Sequence, residues 1–252
     1  MIENIFDYFK VPTQDEVKEI LNPIRENINK ISFSYRERNG LEALFDTRST
    51  ELLYWTREFN NRFFDFIINY EIMMNYYNSR IPDEKWYVSP GRKGESVEYF
   101  PDFENEDYAK LYLFGFYMDS LYTRYFGLID TIYHILDGYY ELEVGNSLGF
   151  IKRVINGIKK ENPILATYLE SIKNDTRYIE IKNFRDNQVH NYRANQVSSG
   201  LSPKVKQVNG TIMQTLSVGN YTTTSQFVNG INSGIELLSE IVEEINKQLG
   251  EM

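Results

Sequence analysis

Apolar residues recur at helical spacing along most of the chain. Residues 14–30 carry Val17, Ile20, Leu21, Ile24 and Ile28, followed by Ile31, at spacings of three and four that draw one apolar face. Pro23 interrupts that face and predicts a kink or a restart. A second segment opens at Ser49-Thr50-Glu51 and runs to about Asn78, with Leu52, Trp55, Phe59, Phe63, Phe66, Ile67, Tyr70 and Met74 on a broad stripe. A third runs from Glu106 to about Leu136, with Leu111, Phe114, Met118, Leu121, Tyr125, Leu128, Ile132 and Ile135 in register. Both are about thirty residues long, well above an average helix of roughly 11–12. Two long apolar helices of similar length predict neighbours in a bundle.

The helical pattern breaks twice. Trp86-Tyr87-Val88 and Val97-Glu98-Tyr99-Phe100 flank Pro90-Gly91-Arg92-Lys93-Gly94, which reads as a small β-hairpin. Residues 195–223 are rich in Ser, Gly, Thr, Gln, Asn and Val, and Asn209-Gly210 between Val205–Val208 and Thr211–Met213 is a type I′ hairpin signal. Between the two breaks lie a helix at about Leu148–Lys160 and another starting near Pro163, where a missing N–H does no harm. The latter carries Leu165, Leu169 and Ile172, pauses at Asn174-Asp175-Thr176, and resumes through Tyr178, Ile181 and Phe184 to His190. Thr223-Thr224-Ser225-Gln226 is a capping-box pattern that opens a last helix with Phe227, Ile231, Leu238, Ile241, Ile245 and Leu249. The expectation is an all-α chain, a helical bundle of about four to six core helices with two small β-hairpin excursions. No repeat or long linker divides it, so residues 1–252 read as one domain, with residues 1–47 either in the core or an appended N-terminal helical arm.

Composition narrows the chemistry. The absence of cysteine removes disulfides, Cys-based zinc sites and a cysteine nucleophile. With His 2, a His-rich metal centre would need carboxylates or a second chain. Lys+Arg 27 against Asp+Glu 36 gives a net charge of -9, which argues against a broad grip on nucleic acid and confines any such contact to a local basic site. The start of the chain lacks a signal-peptide pattern. No run reaches the roughly 18 apolar residues of a membrane span. A cytoplasmic protein without membrane contact is the expectation. Phosphate-binding glycine loops, H-E-x-x-H and G-x-S-x-G are also missing, so no metal and no cofactor is called for.

One constellation stands apart, Phe184-Arg185-Asp186-Asn187-Gln188-Val189-His190-Asn191. On a helix Arg185 and His190 stand about 140° apart, while Asp186 and His190 are i,i+4 neighbours, so the carboxylate can orient the imidazole. Such a trio suits phosphoryl transfer without metal. Arginine clamps a phosphate and stabilises added negative charge, and histidine moves a proton near neutral pH. In RNA the 2′-OH beside the scissile phosphate already supplies the nucleophile. The competing reading pairs Arg185 with an exposed carboxylate and leaves His190 as a helix-ending residue favoured by the dipole.

The string Arg185-Asp186-x-x-x-His190 resembles the R-polar-x-x-x-H signature of HEPN domains (higher eukaryotes and prokaryotes nucleotide-binding). Its place late in a helical chain, before a final amphipathic helix, is similar to that family over perhaps residues 48–250. The resemblance implies a homodimer whose two motifs meet across the interface. It implies a metal-independent endoribonuclease of a toxin or defence system, with RNA as substrate and an antitoxin or other protein as a further partner. In that scheme Arg185, His190 and Asp186 are catalytic, and Asn187, Asn191 and Arg193 contact the substrate. Other members of the family are non-catalytic, so a nucleotide- or partner-binding domain is the alternative. A helical protein-interaction module, with a partner over the Tyr/Phe-rich helices, is the second alternative.

Two further groups complete the reading. His134, in Ile132-Tyr133-His134-Ile135, reads as a packed histidine, with metal pairing to Asp130 or Asp137 set well below that. The run Tyr108, Tyr112, Tyr117, Tyr122, Tyr125, Tyr133, Tyr139 and Tyr140 reads as helix packing ahead of base stacking. Arg153, Lys159, Lys160, Lys173, Arg177, Lys182, Arg185 and Arg193 make residues 150–193 the most cationic helical part, either as a convergent anion site or as an alternating charged face.

Overall fold

The structure, a computed structural model, describes residues 4–34, 47–145, 147–191, 193–208 and 210–249. Its helices are α1 (Gln14–Leu21), α2 (Arg25–Lys30), α3 (Thr47–Asn78), α4 (Asn105–Tyr139), α5 (Phe150–Ile158), α6 (Pro163–Ile172), α7 (Thr176–His190) and α8 (Thr224–Leu249). Strands β1 (Tyr87–Val88) and β2 (Glu98–Tyr99) pair antiparallel, as do β3 (Val205–Lys206) and β4 (Ile212–Met213). This is the all-α bundle with two small hairpins that the pattern predicts. Asn209 of the second turn and residues 1–3 and 35–46 of the N-terminal stretch lie outside the described residues.

The two long stripes pack against each other. α3 and α4 run antiparallel, so Trp55 meets His134 at one end and Tyr76 meets Tyr117 at the other. Phe59, Phe66, Tyr70 and Met73 of α3 and Phe114, Met118, Leu121, Tyr125 and Leu128 of α4 are almost wholly removed from water. Most of the tyrosine run is packing, since Tyr122, Tyr125 and Tyr133 are buried and Tyr117, Tyr139 and Tyr140 pack against the core half-buried, whereas Tyr108 and Tyr112 are exposed. α8 closes the bundle with Phe227, Ile231, Ile235, Leu238, Ile241 and Ile245 inside.

The first stripe bends where Pro23 sits, in a single 3-10 turn (Asn22–Ile24) between α1 and α2. Ile20, Ile24, Ile31 and Phe33 join the same core, and Lys30 reaches Glu243 of α8 at 3.2 Å. The start of α8 has a cap that local sequence does not reveal. Asp83, fully buried, accepts from the Thr224 backbone N–H at 2.7 Å, the Thr224 hydroxyl at 2.8 Å and the Tyr221 hydroxyl at 2.7 Å. The Thr223–Gln226 capping pattern forms beside it, with Thr223 N–H to Gln226 Oε1 at 2.9 Å.

Candidate functional site

α7 carries the motif, and its seat begins at its first turn. Asp175 caps the helix by accepting from Arg177 N–H at 2.8 Å. The Arg177 guanidinium then bridges Asp175 at 2.8 Å and Glu240 of α8 at 2.7 Å, and these two carboxylates hold it above its ordinary range. Further along, Ile181 is buried against α8, and Phe184 packs on Tyr122 (ring centroids 5.6 Å apart) and Phe227 (4.8 Å). With Ile181 and Phe184 turned inward, Lys182, Arg185, Asp186, Val189 and His190 face outward or along the α4 edge.

Arg185 is half-buried, its guanidinium 4.7 Å from the centre of the Phe126 ring, a cation–π seat on α4. It also pairs with Asp186 at 3.0 Å. Lys182 closes on the other oxygen of Asp186, so two cations share that carboxylate and hold it below its usual range, the Lys182 hydrogen bond most of all. His190 is the exposed last residue of α7 and lies within electrostatic range of Asp186, but the hydrogen bonds of Asp186 go to Lys182 rather than to the imidazole. Asn191 caps the helix end, its N–H on Asn187 O at 3.2 Å and its amide on Asn187 Oδ1 at 3.1 Å. Arg193 turns away toward Asp119 of α4 at 3.7 Å. Arg185 and Asp186 therefore lie together on the α4 side of α7, and His190 stands separately at the exposed helix end beside the Asn187–Asn191 pair.

The basic residues of 150–193 do not converge on this strip. Arg153 donates to Leu148 O and Gly145 O, Lys159 pairs with Glu170 at 3.7 Å, Arg177 with Asp175 and Glu240, and Arg193 with Asp119. Among the described residues of this stretch, Lys182 joins Arg185 on Asp186. Lys159, Arg177, Lys182, Arg185 and Arg193 each have an acid within reach, whereas Arg153 is held by loop oxygens. Among the described residues no group of three His, Asp or Glu side chains is placed to hold a metal ion.

Two further groups lie outside the motif, the second of them around the His134–Asp130 pair that the sequence already sets side by side. At the α4–α7 end, Asp119 is raised to about 6 by burial, with Arg193 opposing, and Asp119 Oδ1, Asn195 Oδ1 and both amide atoms of Gln188 are buried without a hydrogen bond. Along α4, Asp130 and His134 share a cavity of about 490 Å3 with Trp55 and Arg62 of α3. Partial desolvation raises Asp130 from its ordinary value against the pull of His134, Arg185 and Arg62, and burial lowers His134. The i,i+4 spacing of Asp130 and His134 is visible in sequence; Arg62 joins them only through the antiparallel register of α3 and α4.

Neither a curated protein nor a solved structure matches the chain. The Cthe2314-like HEPN family model (HEPN_Cthe2314) matches residues 55–248, from the second turn of described side chains in α3 through nearly all of α8. That span contains the whole motif helix and the bundle that seats it. The chain belongs to the HEPN family.

Proposed function

We propose that this chain is a metal-independent endoribonuclease that works as a homodimer, with the two Arg185–His190 strips facing each other across a two-fold axis. The observation that carries this reading is the division of labour on α7. Arg185 is braced on Phe126 and Asp186, whereas His190 stands open at the helix end. A braced guanidinium can hold the scissile phosphate in place and meet the negative charge of a phosphorane-like transition state. An open imidazole can take the proton of the 2′-OH as that oxygen attacks phosphorus. The second imidazole, from the partner strip, can return a proton to the departing 5′-oxygen. The products are a 2′,3′-cyclic phosphate and a 5′-hydroxyl end. Asp186 acts on the arginine more than on the histidine. Asn187 and Asn191 border the path of the RNA beyond the scissile bond, Arg193 would reach it only by leaving Asp119, and an antitoxin-like partner would act by covering that path.

The test is cleavage of labelled RNA in EDTA. His190→Ala and Arg185→Ala are each expected to lower the rate by about 10²–10⁴-fold, the range of a lost proton-transfer or charge-stabilising group. An unchanged rate in both variants rejects the assignment.

A second reading, binding of nucleotide without cleavage, is favoured by one observation. Lys182 and Arg185 share the one carboxylate of Asp186, which leaves a single net positive charge there on a chain of net charge -9, enough for one phosphate and little for a strand. It predicts intact RNA and a thermal shift with mononucleotides.

A further inference from the structure

The 490 Å3 cavity opens between α3, α4 and the loop before α5, one helical turn along α4 from the Phe126 seat of Arg185. Its lining includes the rings of Trp55, His134 and Phe150. The His134 ring is clamped between Trp55 (centroids 4.1 Å apart, planes 4° apart) and Phe150 (4.5 Å, 28°), so both its faces are covered. Only the nitrogen-bearing edge of the imidazole remains for a hydrogen bond.

Two polar groups of this cavity have no protein partner. Neither Asp130 nor His134 makes a hydrogen bond or ion pair with another described residue, although Asp130 lies in the electrostatic field of Arg62, Arg185 and His134. Arg62 donates through Nε to Glu58 at 2.6 Å and through Nη1 to Gly127 O at 3.3 Å, which leaves Nη2 free to donate to a ligand. Asp130 is exposed and His134 half-buried, and polar groups without protein partners gathered in a cleft are available to a ligand. The rim is held in advance, since Arg153 donates to Leu148 O at 2.8 Å, Gly145 O at 2.6 Å and Ser147 Oγ at 2.9 Å. A second cavity of about 450 Å3, which shares Gly149 and Ile151 with the first, extends the room toward Lys152 and Lys173.

The chemistry asks for a flat heteroaromatic ring with two adjacent N–H donors for Asp130 and neighbouring acceptors for Arg62. Guanine has that arrangement, with N1–H and the N2 amino group on one edge and O6 and N7 beside it. Adenine sets one donor beside an acceptor. Uracil has a single N–H between two carbonyls that would repel a carboxylate, and cytosine offers one amino group. We propose that the Trp55–Arg62–Asp130–His134 cavity binds a guanine base, with the carboxylate reading its donor edge and Arg62 its acceptor edge. The proposal rests on the reading of α7 as RNA-handling in one respect: Arg185, next to Asp130, would take a phosphate attached to that base.

Calorimetric titration of the full chain with GMP, AMP, CMP and UMP tests this without any cleavage. GMP is expected to bind at least tenfold more tightly than the other three, and Asp130→Asn to weaken GMP at least tenfold while melting at the temperature of the parent. A second arm uses an RNA hexamer with one guanosine. Tighter binding than GMP places the base within a strand, equal binding identifies a free nucleotide, and both support the guanine site. No saturable GMP binding, a preference for another base, or indifference to Asp130→Asn overturns it. A chain that binds GMP but leaves RNA intact keeps this site and loses the ribonuclease, whereas one that cuts RNA but ignores GMP loses only this site.

Discussion

Asp119 shows how a single side chain can set a pH dependence. Burial raises its carboxyl to about 6, from an ordinary value of 3.8, so the folded chain holds this proton more tightly than the unfolded chain does. Below about pH 4 both states are protonated and the group is neutral in its effect. As pH rises to about 6 the folded state must ionise a poorly solvated acid, and stability falls; above that the penalty is constant. Asp119→Asn should therefore stabilise the protein at pH 7–8, by an amount on the order of 1 kcal/mol once solvent screening is allowed for, or about 2–4 °C in melting temperature. The gain should vanish by about pH 4, and melting curves at several pH values would check the sign. Residue-scale chemistry of this kind was only partly legible. The Arg185–His190 string is local, as is the Asp130–His134 spacing. The sharing of Asp186 by Lys182 and Arg185, the pairing of Arg193 with Asp119, and the entry of Arg62 beside Asp130 depend on which faces pack, and α7 has almost no amphipathic bias to announce its face.

At the scale of elements the sequence was most informative where periodicity ran longest. The second and third stripes end within a turn of α3 and α4, because about thirty residues of helical spacing leave no competing pattern. Close approach of helices is harder to read. Gly230 on α8 faces Tyr122 and Phe184, and a Cβ there would lie 2.9 Å from the Tyr122 hydroxyl and 3.0 Å from the Phe184 ring. Within a helix a glycine loses roughly 1 kcal/mol to alanine by intrinsic preference, so it reads as a weakness until the partner helix is seen. Here it lets α7 lie close, with the Tyr122 hydroxyl donating to Phe227 O at 2.9 Å in the same space. Gly230→Ala should destabilise the fold by about 1–3 kcal/mol despite the better helix former, and should shift the α7 seat; denaturant unfolding would measure it. The remote Asp83 cap is equally invisible locally, since it comes from before the first hairpin to a helix near the other end of the chain.

For the whole molecule, the charge distribution bears on how copies meet. From Asn187 to Ile235 there is no Asp or Glu, so the helix end at His190 and the whole second hairpin are free of acid in a chain of net charge -9. Val189, beside His190, is 56% exposed and lies on the strip proposed to face its twin. The absence of native cysteine makes the test simple. A Val189→Cys chain should form a disulfide-linked dimer under mild oxidation, whereas Ile164→Cys, placed at a residue 70% exposed on α6, should remain a monomer on a non-reducing gel. Equal cross-linking of both, or of neither, would reject the facing arrangement. Finally, α8 bears on how the chain is made. It supplies one wall of the core to α2, α4 and α7 alike, receives its cap from Asp83, and comes after every element it supports. A growing chain emerging from the ribosome therefore carries the long α3–α4 pair with that wall still unsynthesised. The apolar sides of those helices wait uncovered until translation has passed Leu249, and a stop codon anywhere before Thr224 removes the keystone of the bundle.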